Sequence, residues 1–193
     1  MTEGDPYVYP GTLVLRNRLG IKNYKKLERM ERSMAGQRIC EGVPEGKFDL
    51  AHLQAIHRHL FQDIYDWAGE LRTVEINKGG HQFQFRQFIR TGMADVHGRL
   101  VRSKFLRRLS RHDFAQEVGV IIGDVNYIHP FREGNGRTQV QYLKQLAAQA
   151  GHDLDLTRLD PVSWINASKA SHAADYSLMA DVIERAILRP EKK

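Results

Sequence analysis

DFAQEVGVIIGDVNYIHPFREGNGRTQVQYLKQLAAQAG, residues 113–151, sets two helical patterns around one glycine-bearing loop. In the first, Phe114, Val118, Ile121, Ile122 and Val125 recur every three or four residues, which predicts a helix buried on one face and central to the core. In the second, Val140, Leu143, Leu146, Ala147 and Ala150 keep the same period from a start near Asn135, and Gly151 suits the C-cap. Between them lies IHPFREGNGR, Ile128 to Arg137.

Outward from this pair the chain reads as mostly helical. Asn23 to Arg38 is a polar amphipathic run. Asp49 can cap a helix carrying Leu50, Leu53, Ile56, Leu60 and Phe61, with an aromatic continuation through Trp67 to Gly69. Gln87 to Leu109 is expected as one further helix, and Pro161 to Ala173 and Tyr176 to Leu188 as two more. Leu71 to Phe85, LRTVEINKGGHQFQF, is the exception. Val74 and Ile76 before an Asn77-Lys78-Gly79-Gly80 turn, and Phe83 and Phe85 after it, alternate as in a β-hairpin. The expected fold is all-α, a compact helical domain with one β-hairpin flap. A lone two-stranded ribbon is barely stable unsupported, so it either packs over the helices as a loop or offers an edge to which an extended peptide adds.

The chain has 193 residues, 41% hydrophobic and 27% charged, a composition that is globular as a whole and not that of a disordered chain. No repeat, linker or low-complexity tract divides it, so a single domain is expected over 1–189 with a disordered tail at 190–193. Cys40 is the one cysteine, which excludes an internal disulfide and a cysteine zinc cluster. His52, His57 and His59 make no recognised zinc spacing. No signal-peptide pattern opens the chain and no stretch approaches a membrane span, so a soluble, cytoplasmic protein is expected where it is made. Secretion into another cell stays open if the chain is part of an effector.

Twenty-nine basic residues against 23 acidic ones leave a net charge of +6. The excess is local. Arg99, Arg102, Lys104, Arg107, Arg108 and Arg111 follow one another with no acid among them, which suits an acidic partner or nucleic acid, or is a solvated helix face. Neither a helix-turn-helix nor an aromatic stacking signature accompanies them.

The chemistry concentrates between His129 and Arg137. Gly134, Asn135 and Gly136 let successive backbone N–H groups face one concavity, and the helix that starts there adds the positive end of its dipole. Phosphate is the natural guest. Arg137 can fork onto it, Glu133 supplies a carboxylate of the kind that holds Mg²⁺ beside phosphate oxygens, and His129 can accept a proton from an incoming hydroxyl. Phe131 anchors the loop. Taken singly, each part has a structural explanation; a base, an acid, an anion loop and an arginine within nine residues point to phosphate chemistry. The P-loop spacing and its lysine are absent.

His129 to Arg137 resembles the signature of the Fic family, H-x-F-x-[D/E]-G-N-G-R. LFQDIYDWAGELRTVEINKGGHQF (Leu60 to Phe83) is similar to the helix and flap of that family, and DPYVYPGT with RNRLGI resembles small bacterial Fic toxins. The resemblance implies a protein adenylyltransferase, which moves AMP from ATP to a Ser, Thr or Tyr hydroxyl of a target protein. It implies His129 as base, Phe131 as loop anchor, Glu133 on Mg²⁺, and Gly134, Asn135 and Gly136 on the nucleotide phosphates. Arg137 is implied at the β and γ phosphates. The flap residues Val74, Glu75, Ile76, Asn77, Lys78, Gly79, Gly80 and His81 are expected to register the target segment by strand addition. Gly136 stands where the kinase-like branch has lysine, which favours AMP transfer.

The family pattern continues G-N-G-R-x-x-R, and here Val140 replaces the second arginine. A γ-phosphate contact is thereby lost, which predicts a slower enzyme; the alternative is a catalytically impaired Fic domain that binds a target or nucleotide. The inhibitory pattern [S/T]-x-x-x-E-[G/N] is absent from the chain, which resembles the class whose inhibitory helix sits on a separate small antitoxin. The Arg99 to Arg111 cluster would be a second docking surface for such a partner if it is acidic.

Overall fold

A computed structural model describes residues 5–188. Its described helices are α1 (Tyr24–Cys40), α2 (Leu50–Phe61), α3 (Ile89–Arg102), α4 (Arg111–Ile128), α5 (Asn135–Ala150), α6 (Pro161–Ser171) and α7 (Ser177–Ala186). One antiparallel ribbon, β1 (Asn77–Lys78) and β2 (His81–Gln82), lies between α2 and α3. The all-α expectation with a single flap holds.

Local chemistry starts these helices. Asn23, Asp49, Ser110 and Asp160 each accept the N–H of the residue three positions on, the arrangement that satisfies an otherwise orphaned donor of the first turn. Gly151 closes α5 in the left-handed region, as its position after the apolar repeat predicts. The predicted central helix is α4, which packs against α3, α5, α6 and α7. Phe114, Val118, Ile122 and Val125 on α4, Ile56 and Phe61 on α2, and Tyr142, Leu143 and Leu146 on α5 are fully buried in one core. The loop from His129 to Gly134 is therefore held between two helices of this core.

Five expectations are corrected. The helix α2 ends at Phe61 and does not continue through Trp67: the N–H groups of Ile64 and Tyr65 both turn back to the Phe61 carbonyl. Arg38 grips both oxygens of Asp63 at 2.7 and 2.9 Å, and Trp67 stacks on Tyr65, so tertiary contacts override the aromatic run. The expected helix over 87–109 is broken into a 3-10 turn (Arg86–Phe88), α3 and a second turn (Lys104–Leu106). Lys104, Phe105 and Leu106 all have positive φ, and this turn delivers Leu106 into the core at 2% exposure.

As a result, the basic cluster is not one helix face. Arg99 pairs with Asp95 and Asp124, and Arg111 donates to the Glu184 carbonyl, leaving Arg102, Lys104, Arg107 and Arg108 exposed. The last two helices are shorter than expected, α6 ending at Ser171 and α7 running from Ser177 to Ala186, where Ile187 instead bridges to Leu154. The tail expected at 190–193 lies outside the described residues.

The ribbon is also displaced from its predicted register. Asn77 pairs with Gln82 and Lys78 with the residue at 81, so Gly79 and Gly80 alone make the turn, both at positive φ. A two-residue turn of that kind matches strand twist. Val74, Glu75 and Ile76 fall outside the paired positions: the Ile76 carbonyl still accepts the Phe83 N–H at 3.2 Å, while the Arg72 guanidinium takes the Val74 and Gln84 carbonyls.

Candidate active site

The loop from His129 to Arg137 is closed by its own side chains. Asn135 accepts from the Phe131 N–H at 3.0 Å and donates to the Phe131 carbonyl at 2.8 Å, a reciprocal pair inside the core. Both functional groups of this 3%-exposed amide are thus on the loop backbone, where the resemblance implied a phosphate contact. Phe131 is fully buried, as an anchor must be. Gly134 has φ +80°, and a Cβ there would collide with the Phe61 ring; a Cβ at Gly136 would meet nothing within 4 Å beyond its chain neighbours and its own helix backbone. One glycine is required by the fold and the other leaves open space beside the start of α5.

His129 ends α4 in the left-handed region, at φ 47° and ψ 63°. Its Nδ1 lies 3.1 Å from the Asn126 carbonyl oxygen, which can only accept, so the proton sits on Nδ1 and Nε2 is bare. Phe83 of the flap stacks on the imidazole at 3.7 Å between centroids. Burial pushes the His129 pKa down to about 3, with the nearby Lys78, Arg72 and His172 lowering it further and the Asn126 carbonyl opposing. The ring is neutral and able to accept at physiological pH.

Arg137, in the first turn of α5, donates to the buried carboxylate of Glu31 on α1 and lies over the Phe61 ring at 4.8 Å. Glu31 also accepts from the Tyr65 hydroxyl. Burial and the neighbouring Glu31 charge push that phenol far above its ordinary range. Glu133 is exposed, and one of its oxygens accepts the N–H of Gly134 at 2.8 Å. Glu31, Tyr65, Arg132, Glu133 and Arg137 line a cavity of about 530 Å³, within the range of small-molecule sites. Arg132 is committed to Asp5 at 2.8 Å. Val140 is half-buried and does not line this cavity with Arg137. The flap presents Asn77, Lys78, Gly79 and Gly80 to solvent.

Two residues to which the sequence analysis gave no role in the loop hold this arrangement. Arg72 has a fully buried side chain that donates to the His129 carbonyl at 2.8 Å and to Val74 at 2.8 Å, and its own N–H donates to Pro130 at 2.9 Å. One guanidinium therefore joins the flap to the loop at His129. His57 is fully buried on the core face of α2 and reaches the Glu133 carbonyl at 2.9 Å. Its signal was a histidine set among Leu53, Ile56 and Leu60 at helical spacing. His59 points elsewhere, to the Arg38 carbonyl, and among the described residues no group of three metal-binding side chains forms.

Residues 47–147 match the Fic/DOC family model. The probable protein adenylyltransferase y4lH of Sinorhizobium fredii is 39% identical over 184 residues, covering 95% of this chain and 96% of the relative. The protein adenylyltransferase VbhT of Bartonella schoenbuchensis is 40% identical over 94% of this chain, which spans 38% of VbhT. Among solved structures, BepC of Bartonella tribocorum with bound AMPPNP superposes with a TM-score of 0.86 at 25% identity, covering 96% of this chain and 97% of that one. With the matched segment running from ahead of α2 into the last turn of α5 and enclosing the loop just described, the chain belongs to the Fic/DOC family.

Proposed function

We propose that this chain is a protein adenylyltransferase that moves AMP from ATP to a hydroxyl of a target protein. The observation that carries the reading is the bare Nε2 of His129, one loop away from the open cradle at Gly136 and the start of α5. Relatives named protein adenylyltransferase, and BepC with bound AMPPNP, support the donor and the reaction class.

In the proposed step, Nε2 takes the target hydroxyl proton as its oxygen attacks the α-phosphorus of ATP. The new phosphorus–oxygen bond forms as the bond to the β-phosphate oxygen breaks, and pyrophosphate leaves with the electron pair. A ring whose pKa lies near 3 is a weak base, so proton transfer accompanies attack. Arg137 and the loop N–H groups hold the phosphates. Gly134, Asn135 and Gly136 bring the backbone to them, with Asn135 acting through the loop it closes. Glu133 is the residue to hold Mg²⁺: it is an exposed, hard oxygen donor beside the cradle, and a single carboxylate completed by phosphate oxygens and water suits that ion. Mg²⁺ would neutralise charge on the phosphates. The flap from Val74 through the exposed β1 edge at Asn77 and Lys78 is the docking edge for the target segment.

A second reading, an impaired domain that binds target or nucleotide, is favoured by Val140 together with the pairing of Arg137 to Glu31. A lost charge-assisted hydrogen bond is worth about 1.5–3 kcal/mol, or roughly tenfold to a hundredfold. Because His129, Glu133 and Arg137 are all present, slow turnover is the favoured outcome. The biological role proposed is that of a toxin or effector restrained by a separate small antitoxin with an inhibitory helix. Without an arginine at 140, that restraint would be steric, and Val140→Arg would tighten it.

The test is incubation with α-labelled ATP, Mg²⁺ and a bacterial lysate beside His129→Ala. A labelled protein band that vanishes in the variant is expected. Nucleotide binding without any labelled band would favour the impaired domain, and Val140→Arg would then be expected to restore labelling.

A further inference from the structure

His57 sits in a polar and aromatic clamp that no step above uses. Its ring stacks on Phe131 at 3.9 Å between centroids and leans on Phe61 at 4.7 Å. The Gly69 N–H lies 2.8 Å from Nδ1 and can only donate, so Nδ1 is bare. The Glu133 carbonyl oxygen lies 2.9 Å from Nε2 and can only accept, so Nε2 carries the proton. Two backbone groups far apart in sequence thus demand the same neutral tautomer. Burial agrees, pushing the pKa of His57 down to about 4.

The consequence lies one bond further on. In a trans peptide the carbonyl and the following N–H point to opposite sides. Holding the Glu133 carbonyl against His57 therefore turns the Gly134 N–H away from the core, where it meets the exposed Glu133 carboxylate at 2.8 Å. With the plane reversed, the loop would offer an anion an oxygen in place of a donor.

We propose that His57 is a positioning residue for nucleotide binding, which through its Nε2–H holds the Glu133–Gly134 peptide with the N–H facing the phosphates. The inference rests on reading this loop as a triphosphate cradle. It assigns His57 no contact with the substrate.

Three variants separate hydrogen bonding from packing. The amide nitrogen of His57→Gln can reach the position of Nε2; the shorter His57→Asn can accept from Gly69 but falls short of Glu133; His57→Phe keeps the stack alone. Binding of a non-hydrolysable ATP analogue is measured by calorimetry, with thermal melting alongside. Expected is Gln within a few-fold of wild type, and Asn and Phe weaker by at least about tenfold. Equal weakening of all three that tracks their loss of melting temperature would reduce His57 to a packing residue and overturn the proposal. Wild-type protein that binds no nucleotide would overturn the cradle reading and the inference with it.

Should the variants fail to fold, spectra of the wild type labelled with ¹⁵N-histidine and ¹⁵N-glycine decide. An Nε2–H tautomer at His57, with a Gly134 amide shift when the analogue is added, is expected. An Nδ1–H tautomer, or an unmoved Gly134 amide in the presence of bound analogue, would overturn the proposal.

Discussion

The Glu31 carboxylate on α1 accepts a hydrogen bond from the Arg137 guanidinium at the head of α5, across 106 residues of chain. A carboxylate 7% exposed needs such partners, and Tyr65 supplies a second. The same pairing commits one of the donors of Arg137 to the protein itself. Glu31→Gln keeps the shape and removes the charge. We expect it to bind an ATP analogue a few-fold more tightly, because Arg137 is then less neutralised, and to lose about 1–3 kcal/mol of stability. Calorimetry and urea unfolding check the two effects separately, and unchanged or weaker nucleotide binding would show that Glu31 serves Arg137 only as a brace.

Acid should unfold the protein partly through His57. Its folded pKa, about 4, lies below the ordinary 6.5, so between those values the unfolded chain binds more protons than the folded one. Stability is therefore fully present above pH 6.5 and falls as pH drops from 6.5 towards 4, by about 3 kcal/mol over the window. Urea titrations at several pH values should show this slope, and a shallower one in His57→Gln.

Gly134 and Gly136 should separate fold from function. Gly134→Ala meets the Phe61 ring and a positive φ together, and about 1–3 kcal/mol of destabilisation is expected in chemical unfolding. Gly136→Ala meets open space, so its stability should match wild type while the added methyl obstructs the phosphates and weakens nucleotide binding. Loss of stability in Gly136→Ala of the size seen for Gly134→Ala would contradict this division.

Arg72→Lys keeps the charge and loses the fan of donors that joins Val74 and Gln84 on the flap to His129. Because misplacement by about 1 Å can cost on the order of a hundredfold, labelling of a target protein should fall by that order. Binding of the ATP analogue should change little, since the cradle is held from the other side by His57 and Asn135. Parallel loss of both would mean that the flap and the cradle are one unit.

Some of this was legible in the residues themselves. Apolar periodicity placed α4 and α5, and Asp49, Gly151 and the Gly79-Gly80 turn carry their conformations in local hydrogen bonds and in freedom at positive φ. The motif from His129 to Arg137, which marks the family, was legible for the same reason, since its residues are neighbours in the chain. Tertiary structure decided everything that joins distant segments: the break at Lys104–Leu106 that buries Leu106, the end of α2 at Phe61, and the partners Glu31, His57 and Arg72 of the loop from His129 to Arg137. A charge inside a charged helix, a histidine on an apolar face and an arginine beside a turn look ordinary in sequence. What sets them apart is burial against specific backbone carbonyls and side chains, and burial exists only once the helices have packed.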